Sequence, residues 1–121
     1  MHEISLVRGI FQTLEAEFSK EELAAMKAID MKIGLLSNVH PTLMHTAFDA
    51  VTTAEEKYQN VKLNIELIEV EIFCKACQKS SGVEQYKFVC AHCGHPNNNI
   101  TKGTELLIHR VHFHERQKAH Q

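Results

Sequence analysis

Two pairs of cysteines constrain the fold of this chain more than any other feature of its sequence. Cys74 and Cys77 form one C-x2-C pair, and Cys90 and Cys93 form a second pair after a spacer of twelve residues. Two cysteines at this separation occupy a tight turn whose backbone amides point at sulfur, and two such turns together supply the four ligands of a tetrahedral zinc ion. The spacing therefore predicts a zinc-ribbon module. Its Zn2+ is expected to be structural, because four thiolates leave no coordination position open for catalysis.

The residues around the two cysteine pairs leave two alternatives open. The first alternative is that the cysteines form two redox-active motifs or are unligated buried thiols. A redox motif, however, needs only one cysteine pair and normally opens a helix beside a sheet. Tyr86, Phe88 and Val89 instead predict a strand of a ribbon. We interpret His92 and His95 as solvent-facing turn residues, and the second alternative is that one of them replaces a thiolate as the pH changes.

The composition is that of a soluble globular protein. With 121 residues, 44% apolar and 23% charged, the chain is expected to form one domain with a small appended module. Its formal charge of -2 gives no general attraction to nucleic acid or to a membrane surface. No stretch approaches the roughly 20 apolar residues of a membrane span, and the start does not resemble a signal peptide. We expect a cytoplasmic protein, where cysteines serve as metal ligands more often than as disulfides.

Hydrophobic periodicity predicts helices and strands in alternation. Apolar residues recur at helical spacing over 4–18, and Ser19 to Glu22 has the form of a capping box that starts a short helical turn through 23–27. The other predicted elements are a half-buried strand over 29–35, a helix that begins at Pro41 with an apolar stripe of Leu43, Met44, Ala47, Phe48 and Val51, a long strand with a bulge or bend over 61–72, and a closing strand over 107–113.

The order of these elements predicts an α+β fold. Two helices pack on a small mixed or antiparallel β-sheet, and the zinc ribbon is inserted between two strands. We expect residues 1–70 with 104–115 to form the α+β domain and residues 71–103 to form the zinc-ribbon domain.

The first residues, MHEIS, form a second candidate metal site. The amine of Met1 and the amide and imidazole of His2 can close adjacent chelate rings around one ion, with Glu3 beside them. Such a nitrogen-rich set suits Ni(II) or Cu(II). A histidine at position 2 is more often incidental, so this pattern is a weak signal by itself.

Together these features resemble the HypA/HybF family of hydrogenase nickel-incorporation proteins. The resemblance spans residues 1 to about 113 and rests on MHEISL, KIGLLSNVHP, FCKAC, VCAHCG and NITKGTELLI. It implies a nickel metallochaperone, not an enzyme, that works with a HypB-type GTPase to load nickel into the large subunit of NiFe hydrogenase, and in some members into the urease pathway. It also implies a nickel site at Met1, His2 and Glu3 and a zinc site at the four cysteines.

This sequence departs from the family pattern at two positions. His40 stands where members often carry an acidic residue near the nickel site, and Leu35 stands where they usually carry glutamate. His40 is therefore a further candidate nickel ligand, and the alternative is a polar cap for the helix that begins at Pro41. We interpret His45 on that helix as a surface residue, because other residues account for the buried stripe.

The closing part of the chain carries further histidines, at positions 109, 112, 114 and 120. His112 and His114 are predicted to share one strand face, so a weak extra metal site and ordinary exposed histidines are the two alternatives. The sequence leaves open whether the chain is a monomer or a weak homodimer.

Two other functional classes compete with the nickel carrier. The first is a zinc-ribbon module that binds protein or nucleic acid and transports no metal, although Lys75, Lys79, Lys87 and Lys102 are too few for a basic stripe. The second is a metal-dependent hydrolase, for which the sequence offers no constellation of nucleophile, base and oxyanion donors.

Overall fold

The structure of the chain, a computed structural model, describes residues 3–115, and the predictions for Met1, His2 and His120 lie outside this range. No helix within residues 3–115 has the length and apolar character that crossing a bilayer requires. The described elements are α1 (Glu3–Glu17), α2 (Lys20–Ala24), β1 (Met26–Gly34), α3 (Pro41–Ala54), a 3-10 turn (Glu56–Tyr58), β2 (Lys62–Ile68), β3 (Glu71–Cys74), β4 (Lys79–Gly82), β5 (Ile100–Lys102) and β6 (Leu106–Phe113).

The predicted α+β class is confirmed, with two small sheets in place of one. One three-stranded sheet has the order β2-β1-β6, and the other has the order β4-β3-β5. The chain divides into two compact units. The first unit comprises Met1–Met31, Val39–Ile65 and Ile108–Gln121, and the second comprises Lys32–Asn38 and Glu66–Leu107.

The core of the first unit lies where α1 packs against α3. The ring of Phe11 stacks on Tyr58 at 4.1 Å and on Phe48 at 5.5 Å between centroids. The predicted apolar stripe of α3 is confirmed except at Leu43, which is 52% exposed. Leu43 precedes Met44, the first buried residue of the stripe, by one position, and one position turns a helical side chain by about 100°.

The capping box is confirmed, and it starts α2. The Ser19 N–H donates to Glu22 Oε1 at 2.8 Å, and the Glu22 N–H donates to Ser19 Oγ at 3.1 Å. The helix ends at Ala24, earlier than predicted, because β1 begins at Met26.

The end of β1 also differs from the prediction. Leu35 continues the sequence alternation but lies outside the strand and is 50% exposed. The Ser37 N–H donates to the Gly34 carbonyl at 3.0 Å, and this turn removes Leu35 from the pleat. Asn38 follows with a positive φ of 65°.

The long strand predicted over 61–72 is wrong, because the segment forms two strands that belong to different sheets. β2 ends at Ile68 and β3 begins at Glu71. The slip in the apolar alternation after Ile68 therefore marks a change of sheet, not a bulge within one strand.

In the second unit, β3 is the central strand and pairs antiparallel with both β4 and β5. The loop before β6 passes so close to β1 that a Cβ added at Gly34 would lie 2.1 Å from the backbone carbonyl of Gly103. Gly103 has a positive φ of 115°, a conformation that favours glycine.

The ribbon strand predicted over 86–89 is wrong. Gln85 and Tyr86 have positive φ angles of 54° and 58°, and the Lys87 N–H donates back to the Glu84 carbonyl at 3.0 Å. Two consecutive left-handed residues form a tight turn, so this segment contributes isolated bridges only.

Candidate metal sites

The four cysteines lie on two turns of the same construction. Cys74 ends β3, and the N–H of Gln78 donates to the Cys74 carbonyl at 2.7 Å; the N–H of Gly94 donates to the Cys90 carbonyl at 2.8 Å. Gln78 and Gly94 both have positive φ angles, of 61° and 74°. A left-handed residue directly after each C-x2-C pair thus turns the chain back and brings both thiols of the pair to one side.

The sulfur atoms of the four cysteines form one cluster. All four Sγ atoms lie within 4.8 Å of one another, with Cys74 Sγ 3.7 Å from Cys93 Sγ and Cys77 Sγ 3.6 Å from Cys90 Sγ. These distances exceed the ~2.05 Å of a disulfide. Four sulfurs at ~2.3 Å from a tetrahedral ion lie about 3.8 Å apart, so the cluster has the dimensions of a four-thiolate metal site.

Backbone amides and mutual proximity set the charge of these thiols. Hydrogen bonds from the amides of Cys93 and His92 lower the pKa of Cys90 to about 6, although burial opposes this shift. Burial and the neighbouring thiols raise the pKa of Cys77 to about 12. Four thiolates this close repel one another, and a divalent cation between them supplies the charge that keeps them deprotonated. The donor set therefore fits a soft divalent metal ion.

The histidines next to the second pair do not belong to the sulfur cluster. His92 and His95 are both exposed, and the His92 Nε2 lies 3.2 Å from the Ser80 carbonyl oxygen. The His95 carbonyl accepts a hydrogen bond from the Cys90 N–H at 2.9 Å. Within residues 3–115, the group of metal-binding side chains contains these four cysteines and no histidine.

In the first unit, Glu3 and His40 are brought together from positions 37 residues apart. Glu3 opens α1, His40 precedes α3, and Glu3 Oε2 accepts a hydrogen bond from the His40 N–H at 3.5 Å. His40 occupies the N-cap position, but its side chain makes no capping hydrogen bond. The imidazole is therefore not used as a helix cap. His45 is exposed, as predicted.

The later histidines are placed differently from one another. His112 Nε2 lies 2.7 Å from Asp30 Oδ2, and Asn64 Nδ2 donates to Asp30 Oδ1 at 2.9 Å. The hydrogen bonds from Asn64 and then His112 hold the pKa of Asp30 below its usual value. His109 and His114 are exposed, and none of these histidines joins a group of three metal-binding side chains within the described chain. The Asp30–His112 pair was not predicted, because its partners are 82 residues apart.

Comparisons with known proteins agree over most of the chain. A family model described as "Hydrogenase/urease nickel incorporation, metallochaperone, hypA" matches residues 1–113. The hydrogenase maturation factor HypA of Desulfitobacterium hafniense is 31% identical over 115 residues, which cover 95% of this chain and 100% of that protein. The factor of the same name from Albidiferax ferrireducens is 32% identical over 108 residues, or 89% and 95% of the two chains.

A solved structure shares the fold. The solution structure of the Ni metallochaperone HypA from Helicobacter pylori aligns with a TM-score of 0.63 at 24% sequence identity, over 96% of this chain and 100% of that one. A second solution structure, of a HypA protein, aligns with a TM-score of 0.66 at 24% identity, over 93% and 96% of the two chains. At 24% sequence identity, the similarity to these two structures supports a shared fold only.

Proposed function

Because the chain belongs to the HypA family of nickel metallochaperones, which act in hydrogenase maturation, we propose that it binds Ni2+ at its amino-terminal end and delivers the ion to the large subunit of NiFe hydrogenase. One observation carries the proposal: the Glu3 carboxylate lies against the backbone of His40. This contact brings Glu3 next to the backbone of His40, so two candidate ligand residues from distant parts of the sequence lie beside each other at the starts of α1 and α3.

In this proposal the nickel ligands are Met1 through its amine, His2, Glu3 and His40. The support for His40 is that its ring is not engaged in capping α3, and an imidazole is a good donor for Ni2+. The nickel ion is cargo. Ligands near a chain terminus can detach one at a time as those of an acceptor attach, so transfer proceeds by ligand exchange and not by catalysis. The family is one of metallochaperones, and we infer no enzymatic reaction for this chain.

We further propose that Cys74, Cys77, Cys90 and Cys93 hold a structural Zn2+. The support is the sulfur geometry, with Sγ–Sγ distances between the two C-x2-C pairs of 3.6 Å (Cys77 to Cys90) and 3.7 Å (Cys74 to Cys93). Zinc bound by four thiolates stabilises the turns that carry them and offers no open coordination position. We also keep, as part of this proposal, the division that the sequence predicts, with residues 1–70 and 104–115 as the nickel domain and residues 71–103 as the zinc domain.

The partners follow from the family and remain part of the proposal. They are a HypB-type GTPase, the hydrogenase large subunit and, as a second acceptor pathway, the urease maturation proteins. We propose that the chain acts in the cytoplasm as a monomer or a weak homodimer, without binding nucleic acid or membranes.

The test is calorimetric titration of Ni2+ into the zinc-loaded chain. We expect a nickel site separate from zinc that is lost in His2→Ala and weakened roughly tenfold, or ~1.4 kcal/mol, in His40→Ala. His45→Ala is the matched control, because His45 is an exposed histidine on α3, the helix that follows His40, and the affinity of this variant should equal that of the wild type.

Two results would count against this site. If His2→Ala binds Ni2+ as the wild type does, the amino-terminal carrier is excluded and the zinc-ribbon binding module becomes the better description. If adding one residue before Met1 leaves the affinity unchanged, the Met1 amine is not a ligand.

A further inference from the structure

Three polar side chains from three strands meet in the first unit, and neither proposed metal site uses them. Asp30 of the central strand β1 lies between His112 of β6 and Asn64 of β2. His112 Nε2 is 2.7 Å from Asp30 Oδ2, and Asn64 Nδ2 donates to Asp30 Oδ1 at 2.9 Å. The side chains of His112 and Asp30 are 39% and 27% exposed. The imidazole is therefore held in one orientation at the surface of the unit.

The contact with Asp30 determines which ring nitrogen of His112 is free. A carboxylate is ionised at neutral pH and only accepts hydrogen bonds, so the neutral imidazole carries its proton on Nε2 and has a lone pair on Nδ1. No residue within 3–115 donates a hydrogen bond to Nδ1. Histidines that bind metals usually donate their other ring N–H to a carboxylate, which is itself hydrogen-bonded, as Asp30 is by Asn64. His112 is thus prepared to donate Nδ1 to a metal ion.

A second imidazole follows two positions later. His114 lies just beyond the end of β6, but its N–H donates to the Ala25 carbonyl at 2.7 Å, so its backbone continues the pairing with the segment that leads into β1. Side chains two positions apart along a strand project to the same side. His114 is exposed, and its ring can therefore turn towards that of His112.

We propose that His112 and His114 form a further site for a divalent transition-metal ion, in which His112 binds through Nδ1 and Asp30 positions its ring. Imidazole donors suit Ni2+, Cu2+ and Zn2+, and water completes the coordination. This site is weaker than the amino-terminal nickel site, because it offers two protein donors where that site offers four. None of its residues belongs to the amino-terminal site, so the two proposals stand or fall separately.

The test follows the imidazole NMR signals of the zinc-loaded His2→Ala chain as Ni2+ is added. This variant lacks the amino-terminal site that we propose, and octahedral Ni2+ is paramagnetic and broadens the signals of nearby protons. We expect the ring signals of His112 and His114 to broaden while that of His45, an exposed histidine on α3, stays sharp at the same Ni2+ concentration. Equal broadening of all three signals would overturn the site, and so would three sharp signals.

Affinity measurements on histidine variants of the same chain provide a second test. His114→Ala leaves the contact between Asp30 and His112 intact and should weaken this Ni2+ site at least about tenfold. His109→Ala is the matched control, because His109 is an exposed histidine of β6, three positions from His112 and therefore on the other side of the strand. Its affinity should stay within about twofold of the parent chain. Equal affinities of the two variants would exclude His114 as a ligand.

Asp30→Asn tests the positioning role of the carboxylate. Asparagine keeps the shape of the side chain but removes the charge that holds the proton on Nε2. The Ni2+ affinity of this site should fall about tenfold, and the nitrogen NMR shifts of the His112 ring should show more of the other tautomer. Asp49→Asn, the same change at an exposed aspartate of α3, should alter neither quantity. Unchanged affinity and tautomer in Asp30→Asn would show that Asp30 does not position the ligand.

Discussion

Tyr58 links the aromatic core of the first unit to its surface. Its ring is 1% exposed and stacks on Phe11, and its hydroxyl donates to Glu15 Oε2 at 2.5 Å. Burial, together with the Glu15 carboxylate, raises the pKa of Tyr58. The hydrogen bond from Tyr58, followed by that from Lys57, lowers the pKa of Glu15. The neutral phenol and the ionised carboxylate are therefore the stable pair at neutral pH.

Tyr58→Phe keeps the ring and removes this hydrogen bond. We expect it to lower the free energy of unfolding by about 1 kcal/mol at pH 7, a modest value because Glu15 is partly exposed. The pKa of Glu15 is lower in the folded than in the unfolded state. The stabilisation is therefore complete above the unfolded pKa and is lost as the pH falls through the folded pKa.

Urea unfolding of both proteins at pH 7 and pH 3 measures this effect. The difference between wild type and Tyr58→Phe should be smaller at pH 3. An equal difference at the two pH values would show that the ionised form of Glu15 contributes nothing.

Single residues of the candidate sites were predictable to the extent that their signal is local. The four cysteines lie in two short motifs, and their spacing alone predicted the cluster. The Glu3–His40 contact and the Asp30–His112 pair join residues 37 and 82 positions apart. No local pattern specifies such pairs, because they depend on how whole elements pack.

At the scale of elements, the helices and β1 followed from periodicity and capping, which act over one or two turns. The division of residues 61–72 into two strands could not be predicted from periodicity or capping. Both strands alternate in the same way, and only their pairing with β1 or with β4 and β5 distinguishes them. The turn at Gln85 and Tyr86 was missed for a related reason, since neither residue is the glycine that usually signals positive φ.

Two glycine-to-alanine substitutions should have opposite effects on stability, because Gly34 is in close contact with Gly103 and Gly9 has open space beside it. Gly34→Ala should destabilise the chain by about 3 kcal/mol, because its Cβ would overlap the Gly103 backbone at 2.1 Å. Gly9→Ala lies inside α1, where the new Cβ would meet no heavy atom within 4 Å other than neighbouring backbone of its own helix, and it should stabilise the chain by about 0.5–1 kcal/mol.

Thermal and urea unfolding of the two glycine variants provide the measurement. Because both replace glycine by alanine, their difference isolates the steric contact from the general loss of chain flexibility. A Gly34→Ala protein as stable as the wild type would mean that β1 and the loop at Gly103 can move apart without cost.

At the scale of the whole molecule, the two compact units depend on different forces. The first unit has a core of stacked aromatic and aliphatic side chains. The second unit has short strands and few large buried residues; the largest are Ile33 and Ile72, and Cys74 and Cys90 are buried as well. In so small a core, the Zn2+ that we propose at the four cysteines would contribute much of the folding free energy.

Removal of the metal by a strong chelator under reducing conditions should therefore affect the units unequally. Ile29 in the first unit and Ile72 in the second are both 0% exposed, so their methyl NMR signals are matched reporters. We expect the Ile72 signal to lose its dispersed shift while the Ile29 signal keeps its own. Loss of both signals at the same chelator concentration would contradict independent stabilisation.

The exposed turn of the second unit has a consequence for optical spectroscopy. The chain contains two tyrosines and no tryptophan; Tyr58 is buried in the first unit, and Tyr86 is 72% exposed in the second. The tyrosine absorption and tyrosine fluorescence therefore arise from one shielded and one solvated phenol ring, with one ring in each unit. In a Tyr86→Phe protein, the remaining tyrosine emission would come from Tyr58 in the first unit alone.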